Sequence, residues 1–410
     1  MEHPNLSSMP PEVFEAIACQ LDLADIRNLR LTAIHIADKA SGPHFDTFFH
    51  NKTVTFPTGD NPVVEDFAWA TNPGRKGRLL RHLTLKYAVI GGDPGLDDPD
   101  HLTPIYMQLV LVFTNLGHLD SIALDIDDTN LRARSCSDME AEVSLWVGTE
   151  QLFQLTCMAL NSARFTLDRL DIFGVAARCG LACEAVDFHI IPGYLQECKS
   201  RLKQLSFGLS SASANPFGVY GAVNAFVEAP LLKLTCDFVW TCKNLEVFEL
   251  TNHQHSIPNI LALKDWNMAR SFFNLLAPKF RPRKLQRLAL QNITIADSNL
   301  ATFVSHCPRL KDLVLIDVHL RDGTFHEVFD RLPSSLEHIH LQNLAMNAKN
   351  VHFNDTGLAD TRTLERWGAD ARKEITYCLR DDPASSAEPF RAWLGMALQQ
   401  GLLPTTLFQA

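Results

Sequence analysis

The sequence predicts an α/β protein in which strand–helix units stack in tandem into an irregular, curved solenoid (a horseshoe). A short helical segment precedes the array and a helical cap follows it. Three observations carry this reading. A six-residue pattern with apolar side chains at positions 1, 4 and 6 recurs eight times between residues 80 and 341. Polar or small residues alternate with the last two apolar ones, which is the period of a half-buried strand. Between the last recurrences lies a second apolar pattern of helical period, in phase with the first.

Residues 1–50 form the first unit. Met9–Thr32 reads MPPEVFEAIACQLDLADIRNLRLT. Pro10 and Pro11 suit a first helical turn, and Glu12 complements the helix dipole there. Val13, Ile17 and Leu21 recur at four-residue spacing and make one apolar stripe. Asp25 is a cap candidate for a second helix, in which Ile26, Leu29 and Ala33 share a face. Two helices this short bury little apolar surface alone and need a partner surface.

These residues resemble the F-box, whose pattern runs Leu-Pro-x-Glu-Val/Ile, Ile, Leu, Asp-Leu and Leu-Arg-Leu. Here it stands as Met9-Pro10-Pro11-Glu12-Val13, Ile17, Leu21, Asp25-Ile26 and Leu29-Arg30-Leu31. Met9 and Ile26 replace leucines, and the Trp common late in many F-boxes is missing. The run-on HIADKASGPHFDTFFHNKTVTF is similar to that of fungal F-box proteins, where a third helix leads to an apolar strand. The family docks on the Skp-type adaptor of cullin–RING ubiquitin ligases. The resemblance therefore implies an adaptor-binding surface of Met9, Pro10, Glu12, Ile17, Leu21, Leu29 and Leu31.

Residues 51–345 hold the array. The first positions of the pattern are Leu80, Leu119, Leu167, Leu202, Leu245, Leu285, Leu310 and Leu336, spaced 39, 48, 35, 43, 40, 25 and 26 residues apart. The pattern Leu-x-x-Leu-x-Leu resembles the leucine-rich repeat, and the last two spacings fall within its range. The longer ones imply enlarged helical sides or loops. Leu300, Phe303, Val304 and Cys307 fall at i, i+3, i+4 and i+7; Phe325, Val328, Phe329 and Leu332 repeat this 25 residues later. Asp297 and Asp322 are cap candidates, and Pro308 and Pro333 end the helices. Asn252, Asn292, Asp317 and Asn343 fall at position 8, where leucine-rich repeats carry Asn or Cys at position 9, so the turn is shifted or the repeats are divergent.

Residues 346–410 change character. RTLERWGADARKEITYCLR reads as one amphipathic helix bearing Leu364, Trp367, Ala371 and Ile375, DDPASSAEP as a loop, and FRAWLGMALQQGLL as a final helix. Terminal repeats need such a cap, and the tail is similar to those of fungal F-box proteins.

Positions 3 and 5 of each pattern should line the concave face of such a solenoid. There they present His82 and Thr84, Ser121 and Ala123, Arg169 and Asp171, Gln204 and Ser206, Val247 and Glu249, Arg287 and Ala289, Asp312 and Val314, His338 and His340. A face so mixed in charge suits a protein or peptide target better than a polyanion.

Composition bounds the rest. Of 410 residues 46% are apolar and 20% charged, which is globular. The net charge of −10 argues against a nucleic-acid binder. Ten cysteines in apolar contexts read as reduced core thiols. The N-terminus has no signal-peptide character, and no apolar run is long enough to cross a bilayer. A protein of the cytoplasm or nucleus with no membrane contact is expected.

Few residues suggest chemistry. Asp125-x-Asp127-x-Thr129 resembles the haloacid-dehalogenase phosphatase motif, and Asp381-Asp382 could supply metal ligands, but Ile122 and Leu124 already belong to a repeat strand. His338-x-His340, His253 with His255, and Cys179-x3-Cys183 each lack a completing pair for zinc. No metal and no cofactor are expected. The favoured expectation is a non-enzymatic substrate receptor of an SCF-type ubiquitin ligase, part of the ubiquitin conjugation pathway. It would bind the Skp-type adaptor, and through it a cullin, with one end and an unidentified protein with the other. A non-degradative scaffold is the alternative, and a phosphatase using Asp125 and Asp127 a remote one.

Overall fold

The computed structural model describes residues 6–56, 62–88, 99–127, 139–174, 176, 180–182, 195–210, 236–253, 273–347, 349–354 and 361–380. They form a mixed α/β fold around a mostly parallel sheet.

Four short helices open the chain: α1 (Pro11–Ala18), α2 (Leu23–Thr32), α3 (Ile34–Lys39) and α4 (Pro43–Thr47). They enclose a small core of Phe14, Ala18, Ile26, Ile36, Ala40 and Phe45, separate from the main one. Pro11 opens α1 as expected. The cap of α2 is Asp22, not Asp25: the Asp22 carboxylate accepts the Asp25 amide at 2.8 Å. Asp25 thus lies inside the first turn, past the cap position its acidic side chain suggested. The His50 carbonyl then receives the amides of Arg81 and His82, tying this segment to the sheet.

The larger sheet follows chain order. Its strands are β1 (Asn51–Phe56), β2 (His82–Ala88), β3 (His118–Asp127), β4 (Thr166–Ile172), β6 (Gln204–Ser210), β7 (Val247–His253), β8 (Arg287–Gln291), β10 (Asp312–Ile316), β12 (His338–Gln342) and β15 (Thr363–Trp367), with short β5 (Leu181–Ala182) beside β6. Every neighbouring pair from β1 to β12 is parallel; β15 alone is antiparallel to its neighbour. The end strands β1 and β15 are not paired to each other, so the described strands close no barrel.

One backbone device recurs at the strand entries. A single carbonyl accepts two consecutive amides of the next unit: Arg81 from Asp120 and Ser121, Lys203 from Glu246 and Val247, Glu246 from Gln286 and Arg287, Gln286 from Lys311 and Asp312, Lys311 from Glu337 and His338. Each unit thereby sets the register of the next, because buried backbone groups must find partners. The apolar positions 1, 4 and 6 are buried in all eight units, from Leu80, Leu83 and Leu85 through Leu336, Ile339 and Leu341.

Helices connect the strands. α5 (Pro62–Ala70), α6 (Pro99–Leu116), α7 (Met139–Ser162) and α8 (Gln196–Lys199) serve the earlier units, α9 (Asp297–Ser305) and α10 (Phe325–Phe329) the late ones. The long α6 and α7 account for the first two wide spacings, of 39 and 48 residues. Leu300, Phe303, Val304, Cys307, Phe325 and Val328 are buried, as their period requires, while Phe329 and Leu332 pack partly buried against the core. Asp297 and Asp322 are not the caps: Ala296 and Thr324 hold those positions, with no side-chain cap bond from either.

A second, smaller sheet contains β9 (Thr294–Ile295), β11 (His319–Leu320), β13 (Ala345–Met346), β14 (Lys349–Phe353) and β16 (Tyr377–Arg380). Its order is β16-β14-β13-β11-β9. The polar residue at position 8 explains the step from one sheet to the other. Asn292, Asp317 and Asn343 have φ of 56°, 52° and 51°, a left-handed turn that Asn and Asp tolerate. Their amides bond to the following unit's Ile316, Gln342 and Arg362 carbonyls. Asn252 departs from this pattern, lying buried within β7. Asn343→Val is expected to lower stability by about 1–2 kcal/mol, because a β-branched residue resists a left-handed φ; Asn343→Gly should be nearly neutral. Urea unfolding followed by circular dichroism reads the difference, and equal midpoints for the two variants would contradict it.

The tail corrects an expectation. Residues 362–380 are not one helix: they form β15, a short 3-10 turn (Gly368–Arg372) and β16. Thr363-Leu364-Glu365-Arg366-Trp367 alternates, with Leu364 buried and Glu365 and Trp367 exposed. Left-handed Gly368 (φ 58°) ends the strand, and Ala371 and Ile375 then pack on the core. Their helical spacing came from a turn that joins two strands. The final expected helix, residues 390–403, lies outside the described residues.

Candidate functional site

Two surfaces are built by these elements. The first lies on the N-terminal helices. Their own core takes Phe14 and Ala18 from α1, so Val13 and Ile17 of the stripe read from the sequence are left exposed, while its third member, Leu21, packs on the core. Val13 is 47% exposed and Ile17 39%. Leu31 at 85% and Ile34 at 82% stand almost free of the chain, with Leu6 also exposed. Of the residues named from the sequence, Pro10, Glu12, Ile17 and Leu31 are exposed, and Met9 is half-buried. Leu21 and Leu29 pack partly buried against the small core. Val13, Ile34 and Leu6 were absent from that set; their signal was apolar character at positions not needed by the core.

The second surface is the open face of the larger sheet. Parallel register brings positions 3 and 5 of successive units into two lateral rows. One row runs His82, Ser121, Arg169, Gln204, Val247, Arg287, Asp312 and His338; the other runs Thr84, Ala123, Asp171, Ser206, Glu249, Ala289, Val314 and His340. β15 extends the rows with Trp367 opposite His338 and Glu365 opposite His340. Sequence reasoning missed these two because it placed them on a helix; the period-2 alternation around Leu364 was the available signal.

Across the late units the rows carry a continuous polar chain. Ser206 Oγ donates to Glu249 Oε2 at 2.9 Å, and Arg287 Nε donates to Glu249 Oε1 at 2.9 Å. The other arm of Arg287 pairs with Asp312, whose second oxygen lies 2.6 Å from His338 Nδ1. The His338 ring stacks on Trp367 at 3.7 Å between centroids. Glu365 approaches both His338 and His340, at 3.4 and 3.8 Å. Held charges on a rigid sheet cost little to pre-order, which suits specific recognition.

Asp171 differs from its neighbours. Burial pushes its carboxyl up to about 6, and the nearby Glu249 and Asp125 carboxylates push the same way; the Gly174 amide, 2.7 Å from Asp171 Oδ1, pulls against them. It is an acid with carboxylates near it and no cation bonded to it among the described residues.

Asp125 and Asp127 both lie on β3. Asp125 is paired with Lys86 at 2.8 Å and accepts the Ile126 amide. Asp381 and Asp382, His255 and the Cys179–Cys183 pair fall outside the described residues. Among the described residues no three His, Cys, Asp or Glu side chains converge as metal ligands. Burial pushes the thiols of Cys198, Cys236 and Cys242 up to about 12, so they stay protonated at neutral pH. Among the described residues no helix is long and apolar enough to cross a membrane. No family model matches the chain, and no curated protein matches it.

Proposed function

We propose that the chain is a substrate-recognition adaptor of an SCF-type ubiquitin ligase. In this reading the N-terminal helices are an F-box that binds a Skp-type adaptor, and through it a cullin. The strand–helix array is a leucine-rich-repeat solenoid whose open sheet face holds a target protein. The chain supplies no catalytic residue; it raises the effective concentration of the target beside the ubiquitin-carrying enzyme.

The observation that carries the proposal is the N-terminal surface. A segment matching the F-box order buries one side in its own core and leaves Val13, Ile17, Leu31 and Ile34 uncovered. Several large apolar side chains left exposed on one small helical unit are the kind of surface that marks an interaction site. The aligned rows on the sheet, from Arg169 and Asp171 to His338 and His340, support the target-binding half.

Leu31→Asp is expected to abolish co-precipitation with purified Skp-type adaptor while leaving the thermal melt unchanged, since Leu31 is 85% exposed and a charge buried without a partner is costly at an interface. Leu29→Asp is a poorer choice, because Leu29 also packs on the chain's own core. No retention of the wild-type chain, under conditions that retain a known F-box protein, would overturn the proposal.

A further inference from the structure

The loops entering β8 and β10 enclose an open cavity of about 630 Å³, lined by Arg281, Arg283, Lys284, Ser305, His306, Pro308 and Arg309. Four of these seven residues are permanent cations and none is an acid. Lys284 bonds to the neutral Asn244 side chain and Arg281 to the Phe280 carbonyl. None of the four is paired with a carboxylate among the described residues. Two lysines elsewhere on the same edge are matched by acids: Lys203 with Asp168 and Lys311 with Glu337. His306 Nδ1, in the cavity wall, is buried with no hydrogen-bond partner among the described residues. Unmatched like charge held in a concavity raises the local potential and calls for an anion.

We propose that this cavity is a docking site for an acidic segment of a partner polypeptide. Guanidinium groups present a planar fork that takes a carboxylate through two parallel bonds, and three are gathered here. The volume lies in the range of sites that enclose several ligand groups, larger than one simple oxyanion needs. A chain carrying a net charge of −10 repels a long polyanion such as nucleic acid, whereas a short acidic segment feels chiefly the local cations. Arginine clusters are a recurring means of reading acidic motifs. The cavity lies at the entries of β8 and β10, not on the rows that cross the sheet face, so it stands apart from the adaptor reading.

The test uses the full chain and a fluorescently labelled peptide of alternating Glu and Asp, followed by anisotropy. Binding should weaken with added salt. Arg283→Gln with Arg309→Gln should weaken it by about tenfold or more, since truncating charged contacts acts directly on affinity. Arg78→Gln with Arg81→Gln, exposed cations beside β2, should change nothing. If the first pair disturbs the thermal melt, each single variant is read instead, with a loss of about threefold expected on the same grounds. Four results would overturn the proposal: no binding of the acidic peptide, equal binding of its Gln and Asn counterpart, unchanged affinity in the Arg283 and Arg309 variants, or tighter binding of inorganic phosphate or duplex DNA at the same residues.

Discussion

Phe303→Ala is expected to destabilise the chain by about 3–5 kcal/mol, the upper range for a large-to-small change in a packed core. Phe303, in α9, is fully buried. Its ring lies 5.4 Å from Phe273, 5.6 Å from Phe280 and 6.5 Å from Phe248, so one side chain joins residues preceding β8, the strand β7 and its own helix. Rings at such distances add favourable contacts beyond the area they bury. The cavity left by alanine would be walled by three rings held by different elements, which limits collapse. Urea denaturation of both proteins, followed by circular dichroism, gives the difference. A loss under about 1 kcal/mol would mean that the cluster closes over the gap and that these units are not rigidly coupled.

Asp171→Asn should act in the opposite direction and depend on pH. The carboxyl titrates at about 6 in the fold and near 3.9 when the chain is unfolded. Between those values the folded state binds more protons, so the stability contributed by the protonated acid is complete below about pH 4 and falls as pH rises through 6. At pH 7 the fold holds an ionised carboxylate near Glu249 and Asp125. A carboxyl raised this far sets an upper limit of about 3 kcal/mol on that cost, and screening through the open face leaves about 1–2 kcal/mol. Asparagine keeps an oxygen for the Gly174 amide and removes the charge. The variant should therefore melt above wild type at pH 7 and converge with it near pH 4. Parallel pH profiles for the two proteins would show that Asp171 titrates normally.

Much of this architecture is legible in residue order. Strand positions 1, 4 and 6 have one physical reason to be apolar, and the parallel sheet buries them at every unit from Leu80 to Leu341. Because the period is 2, the same pattern places His82, Arg169, Arg287 and His338 in one row. Turn chemistry is half legible. Asn292, Asp317 and Asn343 stand out by position, but their left-handed φ, and the second sheet it makes possible, depend on neighbouring units. Caps fail locally: an acid just inside a helix looks in sequence like an acid at its cap, as Asp25 beside Asp22 shows. The tail misleads because Leu364, Trp367, Ala371 and Ile375 fit a helical spacing while Gly368 divides them between a strand and a turn. The N-terminal stripe is visible, yet its exposure is not, since Phe14 and Ile17 are both apolar and only packing decides which one the chain covers.

The reversed strand at the end of the larger sheet has a consequence for assembly. An array in which each unit templates the next is a growing polymer with no inherent final length. Its last carbonyl, on Glu337, would offer two acceptor directions to another unit. Instead it accepts the amide of Gly368 at 2.7 Å, and β15 runs backwards beside β12. This ends the templating: the reversed strand meets β12 in antiparallel register, so the repeated pairing of one carbonyl with two amides of a following parallel strand stops at Lys311.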